Sequence, residues 1–130
     1  MHNRELPRDV RDLIQSSVPT MDALEILIFF CRHPDRAWTA RQLAAEMSPT
    51  VVSEASVRDT LGSFEALGLL ARDSSAHRFH PATEAIASAC AGLLSAYNER
   101  PVTLIRTLYD IADSKKIQAF ADAFRIRKEP

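Results

Sequence analysis

Apolar positions recur at three- and four-residue intervals over most of this chain. Leu6, Val10, Leu13 and Ile14 form the first stripe. With Pro7 at a first helical position, they predict a short amphipathic helix from Pro7 to about Ser17. Thr20 is placed to cap a second helix, with Asp22 in its first turn, where negative charge is favoured. Leu24, Leu27, Ile28 and Cys31 make its stripe, and Ile26, Phe29 and Phe30 widen it until most sides are apolar, as in a central core helix. His33-Pro34-Asp35 ends it, because a residue before proline leaves the helical region.

The pattern then shortens. Trp38 is expected in an extended segment. Thr39 caps a short helix with Leu43, Ala44 and Met47 on one face, and Ser48-Pro49-Thr50 closes it. Ser53 caps the next helix, whose buried face is Val57, Leu61, Phe64 and Leu67, and Gly68 suits the left-handed position that stops it. Leu69–Arg72 and His77–His80 flank Asp73-Ser74-Ser75-Ala76, a pattern that predicts a β-hairpin with a polar tip.

After Pro81 the helical period returns. Ile86, Cys90, Leu93, Leu94 and Tyr97 repeat through about Asn98, on a helix otherwise rich in alanine, glycine and serine. Pro101 starts another helix with Leu104, Ile105, Leu108, Ile111 and Ala112. Ser114 is then expected to cap a last one carrying Ile117, Phe120, Ala121 and Phe124, with basic residues Arg125, Arg127 and Lys128 at its end.

The order of elements from Thr20 to Pro81 resembles a winged helix-turn-helix, and Leu43-Ala44, Val57, Leu61, Phe64 and Ala66-Leu67-Gly68-Leu69-Leu70 are similar to the packing skeleton of bacterial winged-helix transcriptional regulators. Each position has a packing reason: Ala44 allows two helices to cross closely, the larger residues seat the second helix, and Gly68 turns the chain into the wing. The link from Ala44 to Val57 is two or three residues longer than in compact members. The resemblance implies a mainly α fold with a winged-helix core (20–81), a small hairpin wing, one N-terminal helix and about three C-terminal helices (82–128), all in a single domain (1–130).

In that family the second helix enters the major groove and the wing touches backbone or minor groove. Carried over, the resemblance implies contacts to double-stranded DNA from Ser56, Arg58 and Ser63 on the helix, and from Arg72, His77 and Arg78 on the wing. Arginine pairs with guanine edges, and serine bonds phosphate or bases.

Charge opens a second reading. The chain's net charge is -1. Between Trp38 and Pro81 four arginines (Arg41, Arg58, Arg72, Arg78) face five acids (Glu46, Glu54, Asp59, Glu65, Asp73). Phosphate contacts supply much of DNA affinity, and Asp59 on the exposed helix face repels phosphate. The same face carries Ala55, Asp59, Gly62 and Ala66 at helical spacing. A glycine inside a helix costs roughly 1 kcal/mol against alanine, a cost with a purpose if a partner helix packs there. A protein-interaction module with little DNA affinity is the alternative.

Composition narrows the remainder. At 46% hydrophobic and 25% charged, the chain can bury a core, and three glycines disfavour an all-β sandwich. The longest apolar run, Ile26–Cys31, is too short to span a bilayer, and the start of the chain is not a signal peptide, so a cytoplasmic protein is expected. Cys31 and Cys90 are expected as buried, reduced thiols. No catalytic, metal or cofactor constellation is legible: His77 and His80 fall on opposite faces of a strand, and no acid is placed to orient a histidine near Ser74 and Ser75. The small-residue face of the helix from Thr83 to Asn98 either pairs with a second copy, giving a homodimer through the C-terminal helices, or folds back on the core of its own chain.

Overall fold

A computed structural model describes residues 6–47 and 53–128, the last five of these by backbone alone. The turn expected at Ser48-Pro49-Thr50, with the link through Val52, lies outside the described residues. The architecture is mainly helical with one small antiparallel hairpin. In chain order it comprises α1 (Arg8–Ser17), α2 (Met21–Arg32), α3 (Ala40–Glu46), α4 (Glu54–Ala66), β1 (Leu70–Asp73), β2 (Ala76–Phe79), α5 (Glu84–Glu99) and α6 (Pro101–Lys128).

Most boundaries follow from local chemistry. Thr20, Ser53 and Thr83 each accept a hydrogen bond from a backbone N–H three residues on, so each cap removes one orphan donor from its helix. Thr39 goes further: its hydroxyl accepts from Gln42 N–H while the Gln42 side chain accepts from Thr39 N–H, a reciprocal box that stabilises a helix of only seven residues. At the end of α4, Gly68 takes φ 82°. Its N–H bonds Glu65 O, and Leu69 N–H bonds Phe64 O, closing the helix in a Schellman motif.

The core is assembled from α2 outward. Leu24, Ile26, Leu27, Ile28 and Phe30 of that helix are buried, and burying each such side chain contributes roughly 1.5–3 kcal/mol. α5 packs against α1, α2 and α6, α3 packs against α4, and α4 leads directly onto β1. Polar clasps tie α2 to α5. The Tyr97 hydroxyl donates to both carboxylate oxygens of Glu25 at 2.9 Å, and Arg32 donates to Asn98 Oδ1 at 2.7 Å with its guanidinium over the Tyr97 ring. Burial, and then the Glu25 carboxylate, hold the Tyr97 phenol above its ordinary pKa, so it remains the donor.

Two expectations are corrected. First, the hairpin tip is two residues, Ser74-Ser75, because Asp73 and Ala76 pair across the strands; Ser74 makes the tight reversal at φ 61°. Second, two helices follow the hairpin where about three were expected. Ser114 caps nothing; it lies inside α6, which runs unbroken for 28 residues. No glycine or proline interrupts the chain between 102 and 128, and the change of apolar phase near residue 113 reflects two faces of one helix. Of the two readings of the small-residue side of α5, contact within the chain is seen at Gly92, where a Cβ would come within 2.8 Å of Val10 Cγ2 because α1 lies directly against it; Ala85, Ser88, Ala91 and Ser95 are exposed.

Cys31 and Cys90, on α2 and α5, are free thiols that belong to this core. A hydrogen bond to Cys90, followed by burial, raises the Cys31 pKa above its ordinary value; the same hydrogen bond lowers that of Cys90. Among the described residues no single helix is long and apolar enough to cross a membrane.

Candidate nucleic-acid interface

α4 divides cleanly into two sides. Val57, Leu61 and Phe64 are buried. Ala55, Ser56, Arg58, Asp59, Gly62, Ser63 and Ala66 are all exposed, as the periodicity requires. This outward side contains both sets of residues singled out in the sequence: Ser56, Arg58 and Ser63 for DNA, and Ala55, Asp59, Gly62 and Ala66 for a protein. A Cβ on Gly62 would meet nothing within 4 Å, so no part of the same chain packs there.

The charges on this side are partly spent. Arg58 Nη2 donates to Glu54 Oε2 at 2.6 Å, an exposed pair one helical turn apart. Glu54 was absent from the sequence-derived site, although its spacing to Arg58 is the standard signal for such a pair. Thr60 donates to the Ser56 carbonyl, and the Ser56 N–H is held by the Ser53 cap, which fixes the backbone at the start of the face.

The hairpin lies beside α4. Leu70 pairs with Phe79, Ala71 with Arg78, and Arg72 with His77. Trp38 extends this small sheet on its other edge: its N–H donates to His77 O at 2.8 Å and its carbonyl accepts from His77 N–H at 2.9 Å. The Trp38 side chain is buried among Phe29 and His33, with the Arg36 guanidinium 4.0 Å from its ring. Arg36 is a cation at this site that the sequence did not single out.

His77 is corrected. It was expected to reach outward from the wing, but the residue is only 7% exposed. Its Nε2 lies 2.9 Å from Glu65 Oε1 on α4. A carboxylate accepts only, so Nε2 carries the proton in the neutral ring and Nδ1 holds a lone pair. Among the described residues, Nδ1 and the Trp38 indole N–H are buried without a partner. His77 therefore fastens the hairpin to α4 and offers nothing to a phosphate.

Arg72 and Arg78 do reach the surface. Arg78 donates to Asp73 Oδ2 at 3.3 Å, a half-exposed pair of small worth that an incoming phosphate can replace. Arg72 has no ion pair among the described residues. Of the six residues assigned to DNA, five stand exposed on α4 and the hairpin, and one is structural. No group of three His, Cys, Asp or Glu side chains is placed to hold a metal ion among the described residues. Comparison of the chain with protein-family models, curated proteins and solved structures found no match.

Proposed function

We propose that this protein is a winged-helix transcriptional regulator that binds double-stranded DNA with α4 and the β1–β2 hairpin. The observation that carries the reading is the double hydrogen bond between Trp38 and His77. It bridges the extended residue Trp38 to the free edge of β2, so α2, Trp38, α3, α4 and the hairpin follow in winged-helix order. In this reading Ser56, Arg58 and Ser63 face the major groove while Arg72 and Arg78 contact phosphate. The protein has no catalytic role, requires no cofactor and works in the cytoplasm.

A protein-interaction module is the second reading. The internal pairing of Arg58 and Arg78 favours it, as does the open space above Gly62 beside Ala55, Asp59 and Ala66. Titrating labelled random duplex DNA with the full chain at low salt separates the two. Saturable binding weakened by Arg72→Ala supports the regulator. Absence of binding supports the module.

A further inference from the structure

α1, the turn after α4 and the start of α5 border an open cleft of about 290 Å³. Pockets that hold small molecules begin at about 300 Å³. The lining is largely apolar: Leu13, Leu69 and Ala89 are buried and Ile86 is half-buried. Leu67, just after α4, also lines the cleft and is 38% exposed. Apolar surface left open in a concave place gains free energy when a guest displaces its water. The polar lining comes from α1. Asp9, Asp12, Leu13 and Ser16 follow at three- and four-residue spacing, so one side of the helix carries all four. The Ser16 and Ser17 hydroxyls bond each other at 3.0 Å, and Ser16 bonds the Leu13 carbonyl at 3.3 Å. Asp9 and Asp12 are exposed and have no ion pair among the described residues. Neither Arg8 nor Arg11, the cations of α1, lines this cleft, and Arg11 lines a different one with Gln15 and Asp110.

We propose that this cleft binds a small organic cation, with an apolar ring against Leu13, Leu67, Leu69 and Ile86 and an ammonium group beside Asp9 and Asp12. Charge complementarity selects the occupant. The charged groups in the lining are two carboxylates, without a cation among them. Burial then divides the work. Water leaving the apolar lining supplies the affinity. The carboxylates are exposed, where an ion pair contributes little, so charge decides which guests are accepted more than how tightly they are held. An anion with the same apolar body meets repulsion from both carboxylates. A neutral guest gains the burial alone.

The test uses probes that share one ring system and differ in charge: naphthylmethylammonium, naphthylmethanol and naphthylacetate. Each is titrated into the full chain at low salt, without DNA, and followed by probe fluorescence and by the methyl resonances of Leu67, Leu69 and Ile86. The cation is expected to bind roughly tenfold tighter than the anion, with the alcohol between them. Asp9→Asn/Asp12→Asn should bring the affinities together and leave that of the alcohol unchanged. Ala85 is exposed and lines the cleft, so Ala85→Phe should weaken all of them while the helical circular dichroism is kept. Binding of none of the probes overturns the proposal, as does equal affinity for cation and anion. So does a preference that survives Asp9→Asn/Asp12→Asn, or binding undiminished in Ala85→Phe. Neither carboxylate belongs to the face formed by α4 and the hairpin, so failure here leaves the DNA reading intact.

Discussion

The backbones of Trp38 and His77 exchange both of their hydrogen bonds, and the His77 ring then bonds Glu65 on α4. One residue therefore joins the extended segment before α3, the second hairpin strand and the helix proposed to read DNA. The hairpin and α4 are held as a single unit, so phosphate contacts from Arg72 and Arg78 would be made in fixed register with groove contacts from Arg58.

Breaking that junction should cost stability. Glu65→Ala leaves a buried imidazole nitrogen unsatisfied, and a loss of about 1–3 kcal/mol is expected. Urea unfolding of the variant measures it. An unchanged midpoint would show that water replaces the carboxylate without penalty. Glu65→Gln, which can still accept from Nε2, should recover most of the loss.

The three glycines should respond with different signs. Gly62→Ala faces open space on a helix and should stabilise by roughly 0.5–1 kcal/mol. Gly92→Ala brings a methyl within 2.8 Å of Val10 and should destabilise by about 1–3 kcal/mol. Gly68→Ala is strained at φ 82°, with Ala82 Cβ 3.1 Å from the added atom, and should destabilise by about 1 kcal/mol or more. Thermal unfolding of the three variants provides the ranking. A destabilised Gly62→Ala would contradict the open face.

Glu54 should act as a brake on DNA binding. It holds Arg58 at 2.6 Å and adds negative charge to the face. Glu54→Gln is expected to tighten binding to duplex DNA severalfold, whereas Arg58→Ala weakens it. Equal affinities for Glu54→Gln and the wild type would place Arg58 outside the contact.

The cysteines should be slow to react. The raised pKa of Cys31 means less thiolate at neutral pH, and Cys90 is 1% exposed, which blocks access despite its lowered pKa. Alkylation of the native chain by iodoacetamide at neutral pH should therefore be far slower than in urea. Rapid labelling of either thiol in the folded protein would contradict the packing of α2 against α5.

What the sequence made legible was local. Thr20, Thr39, Ser53 and Gly68 mark element ends because a cap or a left-handed turn is made with neighbours a few residues away. The outward side of α4 follows from a 3.6-residue period. The errors arose where distant parts of the chain meet. His77 is buried by Glu65 and Trp38 from other elements, and alternation alone could not reveal that. The packing of Gly92 by Val10, 82 residues before it, was one of two readings that local pattern left open. The false boundary at Ser114 came from reading a change of apolar phase as the start of a new helix, when α6 runs through it unbroken. The Glu54–Arg58 pair was legible from spacing alone, and it changes the site by engaging the arginine placed at its centre.

The most direct measurement is fluorescence anisotropy of a labelled random duplex with the full chain, between about 50 and 200 mM salt. A DNA-reading α4 and hairpin should give a saturable complex at the lower salt that weakens steeply toward the higher. Replacing Arg58, Arg72 and Arg78 by alanine should weaken it further and flatten the salt dependence by about 0.9 log units per lost phosphate contact. No complex at low salt, or one indifferent to all three arginines, would contradict DNA binding through this face.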